Sequence, residues 1–565
     1  MNLNISQGGS ISLPGDKYSF IESLQKWSWW VLVLTSVLQV FVFTTLPNAV
    51  AVVCVLATWY YTKTVFLKIG MIKDYPLSTF LILGFTLTQF YFPLLFTLAE
   101  WKPVVFNFVL PYQVFLHSTL TFAVLVIAHY LYRQLPYTLH KRERSLLAKA
   151  GLYTPPTHIQ LWIMGLLGIG ATFYVYLYSP NIGWEVTGSA SDKAIQSLMP
   201  FSYAPFFIPF TGLYGSKQPL PKMLIAYLVG FTMLLFLVSI GRNSRGGFMI
   251  GFTSVGFSYF MGLLLGVYKA KFLTVKNAVI ALGAYLLFTG PIADIGTAMV
   301  LVRGQRMDIP YDRLISLTFE AYQDKRTIEQ YRQSDITGKP DWDENYLNNI
   351  FLARFSNIKF NDASLIEAKR IGRQDPLMRK FNIDYVLSIL PQPLLDVLKI
   401  NVDKKMLRGV SIGDYLYYRA GGPKASLGGY RTGSMAGIGM ATFGWWYLAI
   451  LGIGIVPVFY LFDLLFTKQI IPGSIPGSST TKLSFSLCGM LLLDSIFRFL
   501  PAESATATAT FLIRDFLQLV VLYLVVYHLT KVFNILSPKP KALTRRKLDM
   551  IDNNSKTHPP ISLNF

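Results

Sequence analysis

Apolar runs close to 20 residues long recur along most of this chain. A helix rises about 1.5 Å per residue, so each run can cross a hydrocarbon layer about 30 Å thick. The charge content agrees: 14% of residues are charged, where a soluble globular protein carries about 25%. Soluble, fibrous, disordered and disulfide-scaffold classes are therefore excluded. Cys54 and Cys488 both lie inside apolar runs, so neither a disulfide nor a cysteine metal site is expected. The first 26 residues are polar and lead into a run of full length, so no cleavable leader is expected.

The runs read as twelve candidate spans, at 28–46, 47–64, 77–98, 112–132, 158–179, 199–215, 222–241, 247–268, 277–301, 434–466, 483–502 and 508–536. The sixth contains Pro200, Pro205 and Pro209, which interrupt a regular helix, so it is expected to be broken or re-entrant. Lysine and arginine in short loops set the orientation. Lys63, Lys68 and Lys73 follow the second span; Arg133, Lys141, Arg142, Arg144 and Lys149 follow the fourth; Lys269, Lys271 and Lys276 follow the eighth. Lys539, Lys541, Arg545, Arg546 and Lys547 follow the last. With twelve spans all four clusters and both termini share one side, which the positive-inside rule makes the cytoplasm. The net charge of +21 is thus assigned to basic loops, not to nucleic-acid binding. The expected organisation is a cytoplasmic segment 1–27, spans one to nine within 28–302, an extracytoplasmic (periplasmic) helical loop 303–433, spans ten to twelve within 434–536, and a basic cytoplasmic tail 537–565. That makes an all-α integral membrane protein.

The loop 303–433 carries 12 Arg, 9 Lys and 16 Asp or Glu, with no histidine or cysteine. Tyr311 to Arg332 alternates apolar and charged residues near helical spacing. Asp362 is expected to cap a helix that runs to Arg370 and stops at Gly372, and Asp414 to Arg419 reads as a short helix ended by Gly421-Gly422. Such amphipathic helices could lie on the membrane or roof the bundle. Sixteen of the 21 arginines fall outside or near the outer ends of spans, including Arg242, Arg245, Arg498 and Arg514. Guanidinium makes permanent bidentate contacts to phosphate, so this distribution fits a phosphate or diphosphate ligand at the outer face. Salt bridging to the acids of the loop is the competing account for most of them. Arg242 and Arg245 have no acid nearby in sequence. Asp494 and Arg498 stand at i,i+4 spacing, which fits either a structural ion pair or the wall of an outward cavity.

Enzyme motifs are sparse. Asp341-Trp342-Asp343-Glu344 contains an Asp-x-Asp, a pattern that can hold a divalent cation but is also common at solvated helix starts. No nucleotide loop and no zinc motif is present. Of six histidines only His117 comes near the expected outer face, as a packed residue of a span. No metal or cofactor is expected.

Four features give the chain a family resemblance. They are Ser239-Ile240-Gly241-Arg242-Asn243-Ser244-Arg245-Gly246-Gly247 leading into a span; one large outer insertion before the last three spans; Leu387-Ser388-Ile389-Leu390-Pro391-Gln392-Pro393 with Gly433-Ser434-Met435-Ala436-Gly437-Ile438-Gly439 and Thr442-Phe443-Gly444-Trp445-Trp446; and Arg498 with Glu503. Across residues 230–515 these resemble Wzy-type oligosaccharide repeat-unit polymerases, the family of O-antigen and enterobacterial-common-antigen polymerases. Gly439-Met440-Ala441 lacks the acidic residue that often precedes the aromatic–glycine pair there.

The resemblance implies a glycosyltransferase fold of type C and a substrate of undecaprenyl diphosphate carrying an oligosaccharide. It implies transfer of the growing chain onto the non-reducing end of a new repeat unit, with a chain-length regulator and a flippase as partners. In that chemistry fixed cations stabilise the leaving diphosphate: Arg242, Arg245, Arg498 and Arg514 are the first candidates. Glu503 is the candidate base, with Asp414 and Asp294 behind it. Arg303, Arg306, Arg354 and Arg431 are candidates for the second diphosphate or the glycan, and Trp445, Tyr417, Tyr418 and Tyr430 for stacking on sugars or anchoring at the interface. The alternatives are a glycan ligase, whose family uses an outer-loop histidine that 303–433 lacks, and a transporter or flippase of lipid-linked sugars.

Overall fold

A computed structural model of the chain describes residues 19–135, 145–178, 194–241, 245–269, 275–302, 311–336, 342–429, 431–472, 479–500 and 504–533. Helix dominates. Among the described residues, seven helices are long and apolar enough to cross a membrane: Leu46–Phe66, Pro76–Ala99, Pro111–Gln134, His158–Val175, Leu224–Gly241, Trp446–Asp463 and Ala507–Lys531.

The other expected spans are shorter, irregular or less apolar, for identifiable reasons. The first run lies in Ser19–Val42, whose early turns carry Glu22 and Lys26. The sixth, Met199–Phe210, is a 3-10 helix with Pro205 and Pro209 inside it; proline has no N–H to give and crowds the carbonyl four residues back. The eighth is the helix Arg245–Leu264, 20 residues long, with Met249–Leu264 as its apolar part. The ninth divides into Val275–Thr289 and Pro291–Leu301. The tenth divides into Met435–Phe443 and Trp446–Asp463, because Gly444 takes φ +59° between them. The eleventh is not one helix. It begins as a strand, Ser479–Phe485, and continues as Leu487–Leu491 and Leu493–Phe497. The strand pairs antiparallel with Phe466–Pro472, Phe466 opposite Phe485. This hairpin departs from the expected all-helical class. Its signal is the β-branched pair Thr480-Thr481 beside the turn-forming Pro472-Gly473-Ser474 and Pro476-Gly477.

The connections sort into two ends. At one, Gln25 donates to the Leu67 carbonyl at 2.9 Å, Lys468 pairs with Asp74, the Tyr153 hydroxyl donates to the Leu464 carbonyl at 2.7 Å, and Gln160 donates to Thr530 at 3.2 Å. The basic connections holding Lys63, Lys68, Lys73 and Lys149 belong to this end. At the other, the Tyr346 hydroxyl donates to the Val104 carbonyl at 2.7 Å and Lys102 reaches Asn348 at 2.8 Å, while Gln39 donates to the Lys102 carbonyl at 3.0 Å. The insertion is thereby tied to the 100–110 connection.

One helix of the insertion does not roof the bundle but enters it. Ile358–Ile371 buries Lys359, Asn361, Asp362, Ser364 and Glu367 along with its apolar residues. Asn361 donates to Gln89 and Ser118, both at 3.0 Å, and Ser364 donates to Ser434 at 2.6 Å. Gly437 lies against Ser364 so closely that a Cβ there would collide with it. Asp362 is not the cap expected of it. It sits mid-helix, fully buried, accepting Val109 N–H at 3.0 Å, Leu110 N–H at 2.8 Å and the Lys359 ammonium at 2.8 Å. The helix starts after Asn357 and, as expected, stops at Gly372, which takes φ +85°.

A second buried polar centre lies at the opposite end. Asp463 accepts the N–H groups of Leu77 and Ser78 at 3.0 and 3.1 Å, the Ser78 hydroxyl at 2.5 Å and the Tyr132 hydroxyl at 3.1 Å. His129 lies 3.1 Å from the same serine. Because the serine donates to the aspartate and not to the histidine, this is a helix-start anchor in which every oxygen of the carboxylate has donors.

Candidate cationic and aromatic site at the insertion end

The peg helix Ile358–Ile371 is followed by a tight turn, Gly372-Arg373-Gln374-Asp375, and by the helix Pro376–Leu387. Gln374 has φ +61°, an uncommon conformation for a residue with a side chain. It is held by its surroundings: Gln374 N–H donates to the Met440 carbonyl at 3.3 Å, Asp375 N–H to the Ala441 carbonyl at 2.8 Å, and the Gln374 amide to the Phe443 carbonyl at 3.3 Å. The turn is thus clasped by the last residues of Met435–Phe443. Asp375 caps the next helix through Met378 N–H at 2.8 Å.

This clasp presents cations beside an aromatic plate. The Arg373 guanidinium carbon lies 6.0 Å from the Trp445 ring centre. Trp445 stacks on His117, centroids 4.7 Å apart and planes 13° from parallel, yet stays 41% exposed. His117 is buried, 2.8 Å from the Tyr447 hydroxyl. Arg379 and Lys380 are exposed on the following helix; Arg379 donates to the Thr442 carbonyl at 3.5 Å. Arg370 pairs with Glu367 at 2.9 Å and Arg419 with Asp375 at 2.9 Å. Among the described residues no carboxylate pairs with Arg373 or Arg379. The face therefore carries net positive charge next to a planar ring, the combination that holds an anionic head and a sugar plane. Pro376–Leu387 also packs against Ser504–Thr510, where the last membrane-length helix begins.

The hydrogen bond and charge of Arg419 hold the Asp375 carboxyl below the usual aspartate range. A depressed folded value contributes stability fully above the ordinary aspartate pKa of about 4, and loses it as pH falls through the lower folded value. Asn caps a helix about as well as Asp, so Asp375→Asn isolates the pair with Arg419. The variant is expected to be less stable than wild type at pH 6, by on the order of 1 kcal/mol, and to lose less on acidification toward pH 3. Thermal melts in detergent across that range check this.

The residues singled out in the sequence are distributed as follows. Arg431 and Asp414 come together: Arg431 donates to Asp414 at 3.2 Å and to the Ser426 carbonyl at 3.1 Å, and lies 4.3 Å from the Tyr417 ring centre. Asp414 is fully buried in the short helix Ile412–Arg419. Arg498 pairs with Asp494, and Asp494 accepts the Thr253 hydroxyl at 2.8 Å. Thr253 belongs to the helix Arg245–Leu264, so Arg245 starts the helix that Arg498 is tethered to. Arg514 pairs with its neighbour Asp515 at 2.8 Å, both partners exposed. Asp294 pairs with Lys325 at 2.7 Å. Arg354 ends the helix Ile350–Arg354. Asp343 accepts an amide of Asn107, and Glu344 accepts the Trp342 indole N–H at 2.8 Å. Arg242, Arg303, Arg306, Tyr430 and Glu503 lie outside the described residues, as does the side chain of Arg245. Arg373 and Arg379 were not among the expected site residues. Their signal was available: a glycine stop, then an arginine, then an Asp-Pro helix start.

No family model, no curated protein and no solved structure matches the chain.

Proposed function

We propose that the chain is a polysaccharide polymerase of the bacterial inner membrane, a glycosyltransferase working on the extracytoplasmic face with both termini in the cytoplasm. It joins undecaprenyl-diphosphate-linked oligosaccharide repeat units in a type C fold. The observation that carries this reading is the cationic face around Arg373 and Arg379 beside Trp445, at the end of the bundle opposite the basic lysine connections. An acceptor hydroxyl of the new repeat unit attacks the anomeric carbon of the growing chain. The sugar–phosphate bond breaks, lipid diphosphate leaves, and the hydroxyl proton passes to a carboxylate, for which Glu503 is the candidate. Arginines held in place before the reaction stabilise the departing diphosphate without reorganising. Arg245 and Arg498, on tethered helices, are candidates for the same charge, and Trp445 for the sugar face.

The test is a product ladder. Purified protein in nanodiscs receives its host's lipid-diphosphate repeat unit, with and without chelator. Wild type is expected to yield lipid-linked multimers that persist in chelator, and Arg245→Ala and Glu503→Ala to yield none. Transfer of the chain to a core acceptor instead, without multimers, would mean a ligase. Movement of the intact lipid across the bilayer, with no new glycosidic bond, would mean a transporter.

A further inference from the structure

The helix after the site, Pro376–Leu387, leads through Pro391 into a short helix, Gln392–Val397, one side of which exposes apolar residues beside the exposed Gln392 and Asp396. Leu394, Val397 and Leu398 project together at i, i+3 and i+4 spacing, Val397 being 77% exposed, and Met406 lies exposed on the next helix. Leu395 packs inward and is fully buried, so the fold holds the outward residues in place. No span passes through this segment, and in water such a patch has no reason to persist.

Two observations identify what covers it. The helix Pro376–Leu387, which leads into the patch, packs on Ser504–Thr510, where a membrane-length helix begins, so the patch follows a helix docked at that end of the span. The chain then turns back at Lys399 with φ +52°. Lys399 N–H donates to the Asp396 carbonyl at 3.1 Å and Ile400 N–H to the Leu395 carbonyl at 2.9 Å, the closing pattern of a helix end that glycine normally occupies. A lysine there strains the backbone and gains only its charge, placed directly beside Val397. Lys380 is exposed on the preceding helix, and the Lys404 ammonium on the next donates to the Leu390 carbonyl at 2.6 Å. Two acids lie nearby, Asp396 accepting the Gln392 amide at 2.9 Å and Asp403 accepting Met406 N–H at 3.0 Å; among the described residues neither forms an ion pair with Lys399.

We infer that residues 392–399 form a wedge that beds into the headgroup layer of an anionic leaflet, the leucine–valine tip entering the acyl boundary and Lys399 contacting lipid phosphate. The wedge fixes the height of the cationic site above the membrane. This stands independently of the reaction proposed for that site.

A nitroxide at Val397→Cys tests it, in the full chain with Cys54 and Cys488 replaced by alanine. Nanodiscs are made from phosphatidylcholine alone or mixed with phosphatidylglycerol. Collisions with oxygen are expected to exceed those with a water-soluble nickel complex, as for a label on the lipid-facing Val229 and unlike one at Glu329. A label at Leu394→Cys is expected to agree. Lys399→Gly relieves the strained turn, so folding is expected to be retained while nickel access at 397 rises toward its phosphatidylcholine-only value. A water-like profile at 397 would overturn the wedge. So would protection accompanied by disulfide-linked dimers, which would mean that a second copy covers the patch. An unchanged profile in Lys399→Gly would remove the lysine from the account.

Discussion

Arg373→Ala is expected to eliminate polymer from the product ladder while the protein remains folded. The side chain is exposed, lies beside Trp445 and among the described residues has no carboxylate to strand when it is removed. Its loss therefore costs little stability. If it faces the leaving diphosphate, elongation falls by roughly 10²–10³-fold, the usual effect of deleting one preorganised charge stabiliser. Arg373→Lys should recover only part of this, because an ammonium offers a point charge where guanidinium offers a planar fork. Arg326→Ala, an exposed arginine on the helix Lys325–Ile336, is the control for nonspecific charge loss. Radiolabelled repeat units resolved by length measure both. A ladder from Arg373→Ala within about threefold of wild type would move the diphosphate elsewhere, since an effect that small is under 1 kcal/mol.

Asp362→Ala is expected to be the most damaging single change to the fold. The carboxylate and Lys359 are almost fully buried, and the same carboxylate accepts two backbone N–H groups before the helix that starts at Pro111. Removing it leaves a buried ammonium unpaired, with two orphaned donors, a loss of about 3–5 kcal/mol. The double variant Lys359→Met/Asp362→Leu should recover a large part, because no isolated charge then remains. The backbone donors at Val109 and Leu110 set the remaining deficit. Melts in detergent compare the three proteins. A single-variant loss under about 1 kcal/mol would show that the pair is solvated and the peg helix loosely seated.

Hydropathy located most of the helices, because each span must bury its backbone alone and so writes its length into the sequence. It read as one regular helix two runs where glycine redirects the chain without interrupting the apolar pattern, at Gly290-Pro291 and at Gly444. It also merged the strand Ser479–Phe485 with the short helices that follow it. In the insertion, helix starts and glycine stops were readable locally. What Asp362 does was not: a cap and a buried tertiary anchor look alike until Val109, Leu110 and Lys359 are brought beside it. Arg431 and Asp414 were both singled out, but their mutual pairing spans 17 residues and needs the fold. Arg373 was flagged locally by its place after a glycine stop, but its position beside Trp445, with no carboxylate paired to it among the described residues, needs the fold.

The peg helix bears on how the protein is made. Ile358–Ile371 is too polar to stay in lipid and too well buried to have been seated from solution after the bundle closed. One side of it rests on Gln89 and Ser118, which emerge early in synthesis, and the other on Ser434 and Gly437, which emerge late. The segment must therefore wait beside a half-built bundle until the C-terminal helices arrive to close over it. Assembly has an obligatory order, and a chain truncated before Ser434 leaves that helix with one of its two walls missing.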